Sequence, residues 1–383
     1  MPQPEIRVLQ TGNDWFGERP GGLNRFYGEL LRHLPEVNVR VRGLVAGSPR
    51  VWHDSGQTVS AFAPVTAPLP WRMLQARRVA GALIEEFQPD LVASHFALYA
   101  APILDKVRDL PFVVHFHGPW AAEAGLEGQT SRMARMQAAL ETAVYRRGRG
   151  IIVLSEAFKQ ELVRRYHVAE ERVVIVPGGI DPEIFHDRLS RQEARGRLGW
   201  PIDRPIVLAV RRQMRRMGLE NLVDSIVDVK RRVPEVLVML AGSGPLVGEL
   251  RDRILAHGLS ENIRQLGRVD DADLPASYRA ADLSIVPTQA LEGFGMITLE
   301  SLASGTPVLV TPVGGLPEVL RPFAPECILP DASTQAISEA LIDFLLGMRT
   351  LPSSEACRAY AETHYAWPVI VAKTRRVYDE AMR

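Results

Sequence analysis

The residues best placed to do chemistry lie between Thr288 and Pro312, in TQALEGFGMITLESLASGTPVLVTP. An apolar run, Asp282 to Pro287, empties into a loop. A helix is predicted to start near Phe294–Gly295 and to stop before Gly305, with Pro307 and a new apolar run beyond. Two carboxylates flank its start, Glu292 just before it and Glu300 further in. The first-turn amides of such a helix lack internal partners and sit at the positive end of its dipole, so they suit a phosphate or pyrophosphate. Gly293 and Gly295 let an anion approach the backbone closely. Glu300 lies past Phe294 by a rise of roughly 9 Å, and its side chain leans back toward the N-terminus. Its carboxylate is then within reach of a ribose attached to that phosphate. In outline this is a nucleotide-sugar site, although a glycine turn feeding an amphipathic helix with ordinary acidic capping fits the same residues.

Other groups stand at the ends of apolar runs. Arg212, in VRRQMRRMGLENL, ends one of them, and a guanidinium there can pair bidentately with a pyrophosphate. Ala241 to Pro245 (AGSGP) is a strand-to-helix glycine turn, weak evidence alone. In VVHFHGPW, alternation puts His115 and His117 on one strand face and Phe116 on the other. A lone strand-end histidine is ordinarily structural. Asp14 sits in the first loop, where an aspartate commonly caps or solvates. The basic stretch 143–150, with Arg132 and Arg135, reads as solvated helix surface or as a surface for a membrane or an anionic acceptor.

The elements that position these groups alternate between apolar strands and helical patterns, which points to α/β architecture with parallel sheets and crossover helices. In the first half the runs are 6–10, 39–45, 90–96, 112–118, 150–156 and 173–180. Gly21–Gly22 open a helix whose apolar face is Leu23, Phe26, Tyr27, Leu30, Leu31 and Leu34. The polar stretch 184–204 reads as an inter-domain linker plus a short helix. The pattern restarts at 205–210, 235–244, 263–269, 282–287 and 307–312. Two doubly wound, Rossmann-like domains facing a cleft are therefore expected, with ligands outside the carboxyl ends of the strands. Their bounds are expected at 1–185, completed by a crossing C-terminal helix at 366–383, and at 186–365.

Length and composition set the class. A chain of 383 residues accommodates two domains with separate cores. Lys plus Arg and Asp plus Glu number 45 each, so there is no basic excess of the kind a nucleic-acid binder carries. Cys327 and Cys357 have no metal-like spacing and fit a reducing compartment. The start MPQPEIRVLQTG lacks the pattern of a signal peptide, and no apolar run reaches the roughly 18 residues of a membrane helix. A soluble, cytoplasmic protein is expected.

Glu292, seven residues and then Glu300, set in EGFGMITLE and followed by SGTPV, resembles the signature of the family 4 retaining glycosyltransferases. That family has the two-Rossmann-domain GT-B fold. The resemblance implies a transferase that moves a hexosyl unit from a UDP- or GDP-sugar to an acceptor hydroxyl, in glycan, polysaccharide or glycoconjugate biosynthesis. It implies no metal requirement, and front-face departure and attack rather than a covalent intermediate. Gly293, Phe294, Gly295 and Met296 would cradle the diphosphate, Glu300 the ribose and Glu292 the sugar hydroxyls. Gly242 and Gly244 match the family's G-x-G-P near the nucleotide, and Arg268–Val269 the backbone that reads the base edge. Gly21 and Gly22 match the glycine turn beside the donor phosphates, and His117–Gly118 the donor-site histidine. His95 resembles another strand-end position and, with Asp14, is an acceptor-side candidate.

One departure stands out. The family has an arginine where Arg212 is read and a lysine just before the glycine that opens the next helix. Here Met217 precedes Gly218. Either Arg215 or Arg216 supplies the second charge, or both are solvated surface and Arg212 with the helix dipoles holds the diphosphate alone. The acceptor is expected to be a carbohydrate, a lipid-linked or a small molecule, with peripheral membrane contact and without nucleic acid. The rival readings are a GT-B-like sugar phosphorylase or nucleotide-sugar epimerase, and a non-catalytic nucleotide-sugar-binding subunit, which Met217 favours.

Overall fold

The computed structural model describes residues 4–126, 131–186 and 188–383. Its strands form two all-parallel sheets. The first contains β1 (Ile6–Asp14), β2 (Val39–Ala46), β3 (Val59–Ala61), β4 (Leu91–Ser94), β5 (Phe112–Phe116), β6 (Gly150–Val153) and β7 (Val173–Ile175). Their order is β3-β2-β1-β4-β5-β6-β7, so the winding reverses between β1 and β4. The second contains β8 (Ile206–Val210), β9 (Leu237–Ala241), β10 (Ile263–Gly267), β11 (Leu283–Val286) and β12 (Val308–Val310). Its order is β10-β9-β8-β11-β12, and the reversal lies between β8 and β11. Most of these strands are buried on both faces, which is why the sequence shows continuous Val/Ile/Leu runs rather than alternation.

The chain divides into two compact units, one of Met1–Gly179 with Trp367–Arg383 and the other of Ile180–Ala366. In the first unit, the C-terminal helix Trp367–Ala381 is tied down by Arg375. That guanidinium is almost fully buried and donates to the carbonyls of Val37, Asn38 and Pro4 at 2.8, 2.9 and 2.7 Å. A Cβ on Gly179 would come within 2.6 Å of the Trp367 ring, so the chain turns there with no side chain.

Two features differ from expectation. β3 is absent from the sequence reading because three residues at a sheet edge leave too short an apolar run. The stretch 184–204 is not a free linker. It carries a helix, Arg191–Leu198, with a Ser190/Glu193 capping box. Arg195 on that helix is buried and donates to Asp282 at 2.7 Å and to the Ala280 carbonyl at 2.9 Å. The charges that made the stretch look like a linker are used in anchoring it to the second unit; Asp187 lies outside the described residues. Among the described residues, no helix is long and apolar enough to cross a membrane.

Candidate active site

In the second unit the groups converge at the reversal between β8 and β11, where an open parallel sheet leaves a crevice for ligands. The strand-end arginine aimed at it is Arg211, not Arg212. Arg211 is buried, and its Nη2 donates to Glu292 Oε2 at 2.5 Å and to the Thr288 hydroxyl. Arg212, the residue singled out from the sequence, is exposed. Burial opposes ionisation of Glu292 most strongly, but the Arg211 charge and hydrogen bond, with Arg216 and Arg212 beyond, outweigh it and hold the carboxyl below its ordinary range. Glu292 is thus an anion inside a cluster of arginines.

The glycines explain how the loops meet. Gly242 has φ 126°, and a Cβ on it would sit 1.9 Å from the Arg211 carbonyl oxygen. Gly244 has φ 158° and crowds the Gln213 carbonyl in the same way, at 2.4 Å. The turn after β9 therefore packs backbone to backbone on the segment carrying Arg211. Gly314, which the sequence reading missed, has φ 57° and would clash at 1.9 Å with the Glu292 carbonyl oxygen, whose partner is the Gly315 N–H at 3.0 Å. Arg268 is exposed and Val269 half-buried, just past β10.

The helix after Glu292 runs Met296–Ala303, with Gly295 (φ 79°) as its N-cap residue. Phe294 is buried, its ring 5.8 Å from that of Tyr365, so it anchors the loop in the core, while Gly293 is buried beside it. Glu300 is 6% exposed, and the Tyr278 hydroxyl donates to its Oε2 at 3.0 Å.

Of the basic neighbours, Arg215 is exposed and pairs with Glu249 at 2.9 Å and Glu220 at 3.3 Å. Arg216 is buried and donates to the Leu291 carbonyl at 2.8 Å. Leu291 has φ 51°, a left-handed conformation rare for leucine, so Arg216 holds a strained turn one residue before Glu292. Met217 is only 4% exposed and is one of the buried core residues.

In the first unit Asp14 ends β1, while His95 and His117 follow the next strands in the sheet, β4 and β5. Asp14 is the last residue of β1 rather than a loop residue. It is buried, ion-paired with Arg19 at 3.3 Å, and burial raises its pKa despite Arg19 and Arg72. His95 was an acceptor candidate, but it is buried with both ring nitrogens engaged: Nδ1 with His117 Nε2 at 3.0 Å and Nε2 with Gln10 Oε1 at 2.9 Å. Its place is behind His117, which is half-buried. Gly118 has φ 142°, and a Cβ there would lie 2.9 Å from Glu123. Gly21 and Gly22 differ, since a Cβ on either meets nothing within 4 Å. Among the described residues, no packing requires glycine there.

A model of the glycosyl transferases group 1 matches residues 190–364, and a model of glycosyltransferase family 4 matches residues 20–184. An uncharacterized glycosyltransferase of Methanocaldococcus jannaschii is 27% identical over 368 residues, 92% of each chain. The GDP-mannose-dependent alpha-(1-6)-phosphatidylinositol monomannoside mannosyltransferase of Mycobacterium tuberculosis is 25% identical over 391 residues, 96% of each chain. Among solved structures, sucrose-phosphate synthase of Thermosynechococcus elongatus superposes with a TM-score of 0.79 at 20% identity, over 98% of this chain and 99% of that one. Anabaena HepE, solved with UDP and glucose, gives 0.79 at 17% identity over 98% of this chain and 100% of that one. The two family matches follow one another along the sequence and correspond to its two Rossmann-like sheets, and the chain belongs to the family 4, group 1 glycosyltransferases of the GT-B fold.

Proposed function

We propose that this enzyme is a retaining glycosyltransferase that moves a hexosyl unit from a UDP- or GDP-sugar to a hydroxyl of a carbohydrate, lipid-linked or small-molecule acceptor. The observation that carries this is the buried Arg211–Glu292 pair at the β8/β11 reversal, just ahead of the Met296–Ala303 helix start. A carboxylate kept ionised beside a site for phosphates has a use if it accepts hydrogen bonds from sugar hydroxyls. The arginines around it, with the helix dipole, meet the charge that develops on the departing diphosphate. These protein groups are assigned that task in place of a metal ion. Glu300 takes the ribose hydroxyls, Gly242, Gly244, Arg268 and Val269 lie along the nucleotide, and Gly21–Gly22 leave room for phosphate in the first unit. His117 takes a hydroxyl of the donor sugar.

Retention through a covalent intermediate needs a carboxylate nucleophile. In the first unit the buried carboxylate at the strand ends, Asp14, is paired with Arg19. A front-face route is therefore favoured. The bond from the anomeric carbon to the diphosphate oxygen breaks, the acceptor oxygen bonds from the same face, and its proton passes to the leaving diphosphate. The mycobacterial relative is named for GDP-mannose and a phosphatidylinositol acceptor, and Anabaena HepE was solved with UDP-glucose, so both bases merit trial.

A thermal-shift screen of UDP-, GDP- and ADP-sugars is the first test, since a ligand at 100 times its Kd adds about 2.7 kcal/mol. Release of nucleoside diphosphate only when an acceptor is present is the expected result. Turnover that needs inorganic phosphate would mean a phosphorylase, and interconversion without acceptor an epimerase. Binding with no turnover on any acceptor would mean a binding subunit.

A further inference from the structure

Behind His117 runs a chain of hydrogen bonds through the first unit. His117 Nε2 meets His95 Nδ1 at 3.0 Å, and His95 Nε2 meets Gln10 Oε1 at 2.9 Å. Gln10 Nε2 donates to the Tyr378 hydroxyl at 2.9 Å, and that hydroxyl meets His115 Nε2 at 2.8 Å. Tyr378 comes from the C-terminal helix, and Gln10, His95 and His115 are all buried. The rings of His95 and His115 stack at 4.1 Å, and Phe26 lies edge-on to His117 at 5.0 Å.

A neutral imidazole has one donor and one acceptor nitrogen, so every link constrains the next. The direction follows from the orientation of the Gln10 amide, whose oxygen faces His95 and whose nitrogen faces the Tyr378 hydroxyl; the reversed amide would reverse every link. The amide oxygen accepts only, so His95 carries its hydrogen on Nε2 and presents a lone pair at Nδ1. His117 must then donate from Nε2, which leaves its own Nδ1 with the lone pair. On the other side, the Gln10 amide N–H occupies the Tyr378 oxygen, and the Tyr378 O–H points to His115 Nε2. The chain ends at His115 Nδ1, buried without a hydrogen-bond partner among the described residues.

We infer that His95, Gln10 and Tyr378 are positioning residues that hold His117 in its Nε2–H form, so that Nδ1 acts as a neutral hydrogen-bond acceptor for a hydroxyl of the donor sugar. The proposal rests on the assignment of His117 to that sugar. A histidine held this way cannot serve as a cationic partner for phosphate, and its selectivity is for a hydroxyl group. Burial, which pushes the His117 pKa down to about 3 and those of His95 and His115 well below normal, acts in the same sense.

Long-range 15N–1H correlation spectra of the full chain, labelled at histidine nitrogen, read the tautomer directly, with His117→Asn identifying the resonance. In the wild type, His117 is expected as one neutral Nε2–H form at neutral pH. Tyr378→Phe frees the Gln10 amide to turn and should give a mixture of tautomers, with kcat lowered severalfold and the affinity for bare nucleoside diphosphate unchanged. Gln10→Met, which keeps the volume and removes both amide links, should do the same. An Nδ1–H or cationic His117 in the wild type overturns the proposal whatever the variants do, as does a single unchanged tautomer in both folded variants. Should His117→Ala transfer sugar at the wild-type rate, the donor-sugar assignment itself falls, and the tautomer result separates that failure from a failure of the chain.

Discussion

Arg211 and Glu292 meet at 2.5 Å across the reversal between β8 and β11, each with less than a sixth of its side chain exposed. Removing one partner of such a pair leaves a buried charge uncompensated, at a cost of about 3–5 kcal/mol. Arg211→Met and Glu292→Leu should therefore each destabilise the protein and abolish transfer. The double variant separates structure from chemistry. An apolar pair of similar volume should recover most of the stability in chemical denaturation, yet the enzyme should stay inactive. Recovery of transfer along with stability would make the pair structural only.

Glu300 and Glu292 should fail differently. If Glu300 takes the ribose, Glu300→Gln loses charge-assisted hydrogen bonds of about 1.5–3 kcal/mol, or about tenfold or more in the Kd for bare nucleoside diphosphate. Glu292→Gln should leave that Kd nearly unchanged and lower kcat for the sugar donor. Calorimetric titration with the nucleotide and a release assay with the donor distinguish them. Equal effects of both variants on the bare nucleotide would contradict the division of labour.

The strands and the Glu292-to-Glu300 string were legible because buried parallel strands announce themselves as apolar runs and because the turn chemistry is local. Arg211 was not. Both Arg211 and Arg212 follow β8, and a strand buried on both faces offers no alternation to say which points at the reversal. What settles it is the contact of the Arg211 guanidinium with Thr288 and Glu292, 77 and 81 residues further along the chain. The glycine turn after β9 was visible, but its purpose, close approach to the Arg211 carbonyl, depends on a partner strand. The His115–Tyr378 contact joins residues 263 apart in sequence, beyond any periodicity. The polar stretch around Arg195 misled for a similar reason, since its partner Asp282 lies 87 residues on.

Arg216 and Met217 define a third test. Arg216 braces the Leu291 carbonyl where the backbone holds φ 51°, and a non-glycine residue in that region costs about 1–3 kcal/mol. Arg216→Ala should let the turn relax, lowering stability and slowing transfer together. In a Leu291→Gly background, where the conformation carries no strain, the same substitution should be markedly milder. Met217→Lys should be harmful rather than restorative, because it places an ammonium where the native side chain is buried. Tighter donor binding by Met217→Lys, with Arg216→Ala neutral, would show instead a donor site that merely lacks a charge.

The three histidines of the first unit make stability depend on pH with a definite sign. Burial lowers the pKa of His95 and His115 well below 6.5 and that of His117 to about 3, so the folded protein keeps all three neutral. The unfolded chain binds protons at these residues as pH falls through about 6.5. Below that point the unfolded state holds more protons than the folded one, so unfolding becomes easier as pH drops toward 3. The contribution is fully present above pH 6.5 and is lost progressively beneath it, by at most about 1.4 kcal/mol per pH unit for each histidine. Denaturant midpoints measured from pH 8 to pH 5 should be flat at first and then fall. His115→Gln, which removes one titrating group at the end of the chain, should make the acid limb shallower even if it lowers the plateau. A midpoint that rises on acidification through this range, or an acid limb of unchanged slope in the variant, would show that these histidines are protonated in the folded protein.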